Sequence, residues 1–173
     1  DGSHAEGVVM LKDGHLLIVK EKDPAALLEF GPADHRPRGY GPDRWLDPGE
    51  PWWEGAGSSR AQDVRLVLLA SWAPTAEMAR ACPDLSDAEV GPGGNLILLS
   101  DQGRAAALVP PAVSPSDPFG GSFEATVVWR LSGVGDKPEG IVVLPDMSVL
   151  VACDRRKVKK NLFVVPRAEW DRD

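Results

Sequence analysis

A hairpin-like segment that occurs three times is the feature that most constrains how this chain can fold. The first copy covers residues 6–23 (EGVVMLKDGHLLIVKEKD), and residues 139–154 (EGIVVLPDMSVLVACD) align with it without a gap at an offset of 133 residues. A looser copy covers residues 86–101 (SDAEVGPGGNLILLSD) at an offset of 80 residues. Each copy reads as an apolar strand, a tight turn, a second apolar strand and an acid. We therefore expect a repeat architecture built from antiparallel hairpins.

The turn of the first copy predicts the register of the hairpins. An Asp-Gly pair at residues 13–14 is typical of a two-residue type I′ turn. This register places Glu6 opposite Glu21 and, in the third copy, Glu139 opposite Asp154. Like charges that face each other destabilise a strand pair. We expect a metal ion, a bound cation, a neighbouring basic residue or a raised carboxylate pKa to compensate for them.

Strand and turn patterns divide the chain into three modules. The first two modules each predict four strands, at residues 8–12, 15–21, 25–30 and 63–72 and at residues 88–91, 95–101, 104–109 and 123–131. The third module predicts three strands, at residues 141–144, 149–154 and 161–165. Between the first two modules, residues 75–82 predict a short helix with Thr75 as its N-cap.

Four antiparallel strands per repeat, with the repeats stacked face to face, are typical of β-propeller blades. We expect an all-β, β-propeller-type fold in one domain of residues 1–173, with about three four-stranded blades at residues 6–72, 84–131 and 139–166. The last blade lacks its fourth strand. Three blades are half of a six-bladed ring, so we expect a second polypeptide or a second copy to complete it, unless the chain is a fragment of a longer one. A four-blade count is less favoured, because residues 31–62 lack strand periodicity.

Residues 31–62 form a Trp-rich insertion between the third and fourth strands. Loops longer than about 12–15 residues are usually functional or disordered. Aromatic side chains favour an ordered lid, which either covers its own blade or forms the wall of a site for a small-molecule ligand or a partner. The aromatic residues of that site are Tyr40, Trp45, Trp52 and Trp53.

Composition excludes several classes of protein. The chain has 173 residues, of which 43% are hydrophobic, and this supports a folded domain. A formal net charge of −7 argues against nucleic-acid binding and favours a cation or a basic partner. Cys82 and Cys153 have neither disulfide-framework nor metal-site spacing. Because no run of about 18 apolar residues and no signal-peptide pattern is present, we expect a soluble chain without membrane association, and the cytoplasm is favoured.

The repeats also resemble a known family. The segments EGVVMLKDGHLLIVKEKDPAALLEF, DLSDAEVGPGGNLILLSDQGRAAALV and KPEGIVVLPDMSVLVACDRR resemble bacterial propellers of the phytase-like esterase family, and more distantly gluconolactonase-type and strictosidine-synthase-like six-bladed propellers. The phytase-like family implies calcium and ester or phosphoester substrates. In gluconolactonase-like relatives the Glu of a Glu-Gly start binds a divalent metal, which implies Glu6 and Glu139 as ligands here. The second copy departs from that pattern, with Ser86 and Asp87 in place of Glu-Gly.

The acids of the hairpins are the candidate metal ligands. In a propeller, first-strand starts and second-strand ends meet at one mouth of the channel, where a ring of carboxylates suits calcium, which takes six to eight oxygen ligands. Zinc is less favoured, because no His accompanies the acids at ligand spacing. The alternative is that the acids are exposed strand ends that pair with local Lys or Arg. The proposed ligands are Glu6, Glu21, Asp101, Glu139 and Asp154.

A basic run follows the third hairpin and is a candidate anion site. Arg155, Arg156 and Lys157 are placed to hold a phosphate beside a metal, or they belong to a solvated turn. His15 and His35 are candidate general bases. Two functions remain open: a metal-assisted hydrolase of esters or phosphoesters, and a non-enzymatic binding or assembly module that uses the Trp-rich insertion and the open blade edge.

Overall fold

The computed structural model describes residues 4–52, 65–113, 117–154 and 161–166. Within these ranges the protein is all-β, as expected, with sheets of five, four, three and two strands. The single α-helix of the described ranges is α1 (Ala76–Ala81). Thr75 caps it, because its side-chain oxygen accepts a hydrogen bond from the Met78 N–H at 3.3 Å. The predicted short helix and its cap are confirmed.

The first sheet is an antiparallel meander whose strands follow in chain order and match the four predicted segments. They are β1 (Ala5–Met10), β2 (Leu16–Lys20), β3 (Ala26–Pro32) and β5 (Leu66–Pro74). A fifth strand, β10 (Gly121–Phe123), adds to β5 in the parallel direction. The two-residue strand β4 (Gly39–Tyr40) lies in the insertion and pairs with β9 (Ala112–Val113).

The second and third sheets repeat the same meander. The second contains β6 (Asp87–Val90), β7 (Leu96–Ser100), β8 (Ala105–Val109) and β11 (Val127–Arg130). The third contains β12 (Pro138–Val143), β13 (Val149–Cys153) and β14 (Leu162–Val165). Each predicted strand therefore has a counterpart, within a few residues at its ends.

The predicted hairpin register is wrong by one residue. The hairpins close through three-residue loops instead of a two-residue turn, with backbone hydrogen bonds from Leu11 to His15, from Gly91 to Asn95 and from Leu144 to Ser148. Asp13 and Gly14 do adopt the left-handed conformation that the Asp-Gly pattern predicts, with φ of 58° and 76°. The loop gains Lys12 as its first residue, and this shifts every cross-strand pair.

The two predicted acid pairs are wrong for the same reason. Glu6 and Glu139 each lie at a β-bulge, where the register shifts and the residue has no cross-strand partner. The backbone N–H groups of Glu21 and Asp154 instead donate to the residue two positions before each Glu, His4 at 3.1 Å and Lys137 at 2.9 Å. The like charges therefore do not face each other across the hairpins.

The three main sheets are stacked, and the second lies in the middle. One core joins the first sheet to the second and contains Leu17 and Leu27 with Leu96 and Leu98. A separate core joins the second sheet to the third and contains Ile97 and Leu99 among the residues of the second sheet. Successive side chains of β7 point to opposite faces, and both faces are covered. This explains why its sequence is continuously apolar.

The insertion fastens the first sheet to the second at the hairpin-loop end. Trp45 forms a β-bridge with Leu11, and its indole N–H donates to the Gly94 carbonyl at 2.8 Å. Tyr40 pairs with Ala112 beyond the second sheet. The described part of the insertion thus closes the end of the core between the two sheets.

Candidate functional site

The five predicted metal-ligand acids gather at the open ends of the hairpins, and we call this set the acidic end. Its members are Glu6, Glu21, Asp101, Glu139 and Asp154. Asp101, Glu6 and Asp154 all lie close enough to Glu139 to raise its pKa. Glu21 in turn acts on Asp101. The repeat therefore brings together acids that are up to 148 positions apart, from Glu6 to Asp154.

Burial and mutual repulsion both favour protonation at the acidic end. Burial is the largest cause that raises the pKa of Glu139, and repulsion from Asp101 is the next. The pKa of Asp101 is also raised, first by burial and then by Asp84. Lys137 opposes the shift in both groups. Desolvation and like charge thus act in the same direction on these carboxyls.

Basic side chains already lie among these acids. Lys137 Nζ is 3.8 Å from Glu139 Oε1 and 3.7 Å from Asp154 Oδ2. Lys22 Nζ is 2.6 Å from Glu21 Oε1 and donates a hydrogen bond to it. Partly exposed pairs of this kind contribute little stability each, about 0–1 kcal/mol. They do place positive charge beside three of the five acids.

The described acids do not form a ready-made set of calcium ligands. Among the residues that the structure describes, no group of three or more His, Cys, Asp or Glu side chains is arranged to hold a metal ion. Calcium takes six to eight oxygen ligands, whereas the ammonium of Lys137 lies near two of the acids. Calcium binding at the acidic end stays a prediction.

Asp87 explains why the second repeat departs from the Glu-Gly pattern. Asp87 corresponds to Gly7 and Gly140 in the other two repeats, and its carboxylate lies between these two glycines. Its Oδ2 accepts a hydrogen bond from the Ile141 N–H at 2.9 Å. The neighbouring Ser86 donates from Oγ to the Pro138 carbonyl at 2.8 Å. The Ser-Asp pair therefore links the second sheet to the third, and the glycines leave room for its carboxylate.

A buried chain of polar side chains lies under the insertion. His15 Nδ1 is 2.7 Å from Glu29 Oε1, and His15 Nε2 is 3.0 Å from His35 Nδ1. His15 and Glu29 are each 0% exposed. The Glu29 carboxylate also accepts hydrogen bonds from the backbone N–H groups of Arg38 at 2.9 Å and Gly39 at 3.0 Å. A buried acid is tolerated because all these donors converge on it.

These hydrogen bonds link the proton positions on the two imidazoles to the charge of Glu29. When the Glu29 carboxylate is ionised it can only accept, so His15 then carries a proton on Nδ1 and donates it. In a neutral His15, Nε2 is then an acceptor, and His35 Nδ1–H is its donor. The sequence pointed to His15 and His35 but missed Glu29. The sequence feature that could have identified Glu29 is an acid at an inward-facing position of the apolar strand β3.

The predicted aromatic site residues lie mostly inside the protein. Tyr40 is 2% exposed and Trp45 6% exposed, and both belong to the core between the first two sheets. Trp52 donates from its indole N–H to the His15 carbonyl at 3.0 Å. These contacts match the interpretation in which the insertion covers its own sheet. A role for these residues in binding a ligand or a partner stays a prediction.

Four predicted site residues lie outside the described ranges. They are Trp53 in the insertion and the anion-site residues Arg155, Arg156 and Lys157. The fold and the acidic end together define an all-β protein of three stacked meander sheets with a carboxylate cluster at their open ends. No helix in the described ranges is long and apolar enough to span a membrane.

Comparisons with protein-family models, with curated proteins and with solved structures found no match. The resemblance of the repeats to phytase-like esterases therefore stays a prediction.

Proposed function

We propose that this chain is an assembly module, half of a six-bladed propeller-type ring that a second copy completes. The observation that carries the proposal is the apolar outer face on each end of the stack. The middle sheet packs on the first sheet with one face and on the third sheet with the other, whereas within the described ranges the first and third sheets each pack on a neighbouring sheet with one face only. The two outer faces have the composition of surfaces that a further sheet covers.

The outer face of the first sheet is continuous and apolar. The register aligns Val8 with Ile18 and Leu28, and Leu16 with Phe30. Val8 is 57% exposed. Leu66 and Leu68 continue the same face on β5. An open groove of about 410 Å³ crosses this face, and most of its lining side chains are apolar.

The outer face of the third sheet has the same character. Val142, Leu150 and Val164 align across its three strands, and Leu162 lies beside them on β14. Leu162 is 58% exposed and Val164 is 60% exposed. In an antiparallel sheet with one solvated face, apolar and polar residues alternate along each strand, and the positions on the solvated face are polar. Here both faces of β13 are apolar, as they are in the covered strand β7.

A second copy would cover both outer faces at the same time. If the first sheet of one copy packs on the third sheet of its partner, a two-fold rotation generates the second contact and closes the ring. Such a ring has six sheets, within the four to eight blades that propellers usually have. Full burial of one Val or Leu side chain contributes about 1.5–3 kcal/mol, so each face adds several such contributions.

Metal-assisted ester hydrolysis remains the second hypothesis, and the resemblance of the repeats carries it. The acids of the acidic end come from all three hairpins, which supports a shared site in a completed ring. The ammonium of Lys137 among them does not favour a calcium ion.

The test measures molar mass by light scattering on an eluting sample, for the parent chain and two variants. The parent is expected at twice the 18.5 kDa of one chain. Val164→Asp places a charge on the outer face of the third sheet and is expected to give monomers. Val128→Asp is the control, because Val128 is 36% exposed but lies on β11 of the middle sheet and belongs to neither outer face. A parent that stays monomeric at high concentration and unfolds cooperatively refutes the proposal.

A further inference from the structure

We propose that the buried contact between His15 and His35 is an acid-sensitive latch. It holds residues 32–39 of the insertion on the first sheet, and it opens when both imidazoles become protonated. His15 Nε2 lies 3.0 Å from His35 Nδ1. His15 is 0% exposed, whereas His35 is partly exposed. The contact therefore joins a buried ring of the first hairpin to a ring of the insertion.

The carboxylate of Glu29 fixes one proton of His15. His15 Nδ1 is 2.7 Å from Glu29 Oε1. The backbone N–H groups of Arg38 and Gly39 donate to Oε1 and Oε2 at 2.9 and 3.0 Å. Because these donors point at both oxygens, the ionised carboxylate satisfies the buried site, and His15 donates its Nδ1 proton to it. The other ring nitrogen of His15, Nε2, then faces the insertion.

The gap between the two rings holds one proton and not two. Either His35 donates from Nδ1 to His15 Nε2, or His15 donates from Nε2 to His35 Nδ1. If the pair takes up one proton, one ring becomes an imidazolium, the other ring still accepts, and the charge of Glu29 compensates for it. If the pair takes up a second proton, an N–H group faces an N–H group and two positive rings are in contact. The closed arrangement therefore excludes the second proton.

The packing around the two rings decides which of them leaves. A Cβ added at Gly31 would lie 3.0 Å from two ring carbons of His15, so this imidazole is enclosed. The carbonyl of His15 also accepts a hydrogen bond from the Trp52 indole at 3.0 Å. His35 lies on a turn of the insertion, where its backbone N–H donates to the Pro32 carbonyl at 3.0 Å. We therefore expect His35 to move away and to take residues 32–39 with it.

Other charged groups near the rings do not titrate together with them. A cavity of about 40 Å³ lies beside His15, and its charged lining residues are Lys12, Asp13, Arg38, Asp43 and Arg44. Asp34 and Arg36, in the segment that the latch holds, are exposed. The strand β5 adds no charge opposite Glu29, since its residue there is Ala70. Asp, Lys and Arg side chains ordinarily keep their charge between about pH 5 and 8, so the histidines are the groups that respond in this range.

The latch is separate from the proposed ring. The ring buries the outer faces of the first and third sheets, whereas the latch lies within one chain. Molar mass tests the ring, and the protonation of the two imidazoles tests the latch. Either proposal can fail without the other.

The experiment is an NMR titration of the full chain from about pH 8 to about pH 4.5, which spans the ordinary titration of histidine at about 6.5. Ring nitrogen shifts report imidazolium, and hydrogen-exchange protection factors report the Arg38 and Gly39 amides. The second imidazolium is expected only as this protection is lost, while the amides of β7 stay protected. Because the open form binds one more proton, the ratio of open to closed form should then rise about tenfold per pH unit. Two imidazolium rings with the Arg38 and Gly39 amides still protected overturn the proposal.

A pair of variants separates the latch from a general effect of acid. His35→Gln keeps an N–H donor for His15 Nε2 but takes up no proton, so it should abolish the pH dependence of the Gly39 protection factor. His4→Gln is the control, because His4 is the remaining histidine of the chain and is exposed; it should behave like the parent. A pH dependence that persists in His35→Gln overturns the proposal. If His35→Gln does not hold the segment closed at neutral pH, the ring titration of the parent decides alone.

Discussion

Two glycines at equivalent positions in the repeat provide a matched test of how the sheets pack. An added Cβ at Gly7 would lie 3.1 Å from the Ala88 backbone nitrogen and 3.2 Å from Asp87 Oδ1. At Gly140 the nearest atoms are Ala152 Cβ at 3.4 Å and Asp87 Oδ2 at 3.8 Å. The contact at Gly7 is with backbone of the next sheet, which cannot rotate away. The contacts at Gly140 are of ordinary van der Waals length.

The magnitudes follow from these distances. Neither glycine has a positive φ, so alanine fits the backbone at both positions. Replacing glycine with alanine at a compatible position stabilises by about 0.4–1 kcal/mol through the unfolded chain. Overpacking costs about 1–3 kcal/mol. We therefore expect Gly7→Ala to be destabilised by about 1–2 kcal/mol, and Gly140→Ala to be neutral or slightly stabilised.

The assay is thermal unfolding of both variants and the parent, followed by circular dichroism at equal protein concentration. In a chain of this size, 1 kcal/mol shifts the Tm by roughly 2–4 °C. Gly7→Ala should therefore melt roughly 2–8 °C below the parent, and Gly140→Ala at or above it. Equal shifts in the two variants would refute the reasoning, because the sequence context of the two glycines is the same and only the neighbouring sheet differs.

Three further predictions concern buried or titrating groups. The Tyr40 hydroxyl is buried without a hydrogen-bond partner among the described residues, and burial raises its pKa. Tyr40→Phe should therefore leave the free energy of unfolding unchanged or raise it by about 1 kcal/mol. A lower free energy of unfolding, measured by urea titration, would mean that the hydroxyl has a hydrogen-bond partner. Glu29→Ala removes the acceptor of two buried donors, on His15 and Gly39, and of the partly buried Arg38 N–H, and should cost on the order of 3–5 kcal/mol, whereas the exposed control Glu124→Ala should unfold like the parent. The pKa of Glu139 is raised in the folded state, so the folded protein loses stability as the pH rises through that pKa and the carboxyl ionises. The free energy of unfolding of Glu139→Gln should therefore equal that of the parent at low pH and exceed it at neutral pH. If calcium binds at the acidic end, the same variant should also lose calcium-dependent melting, and unaltered calcium dependence would exclude Glu139 as a ligand.

Local sequence patterns predicted most of the secondary structure. Period-two and continuous apolar segments located the strands of all three meanders, since these patterns reflect which faces of a strand are buried. The cap at Thr75 was also predictable, because capping needs only a hydroxyl three residues before a free N–H. The repeat offsets further predicted that acids from distant segments meet at one end. These features depend on neighbours in sequence or on exact repetition.

The register of the hairpins and the buried hydrogen bonds of His15, Glu29 and His35 could not be predicted from such local patterns. Asp-Gly at residues 13–14 fits both a two-residue turn and the last two positions of a three-residue loop, and the pairing of whole strands decides between them. Glu29 interrupts an apolar strand, and the sequence pattern does not explain it. Its role is visible only when His15 and the N–H groups of Arg38 and Gly39 are placed around it. Such a network exists only when segments that are distant in sequence are packed together.

The sequence by itself thus determined that the chain is a threefold repeat of apolar hairpins, because hydrophobic periodicity is a property of each segment alone. Only the tertiary structure decided which faces are covered. The strands β7 and β13 are equally apolar, yet β7 is enclosed between two sheets while Val164 and Leu162 on the outer face of the third sheet remain exposed. Burial is a relation between sheets, so no single strand can specify it. The same reason explains Asp87, whose place was set by the glycines of the two neighbouring sheets.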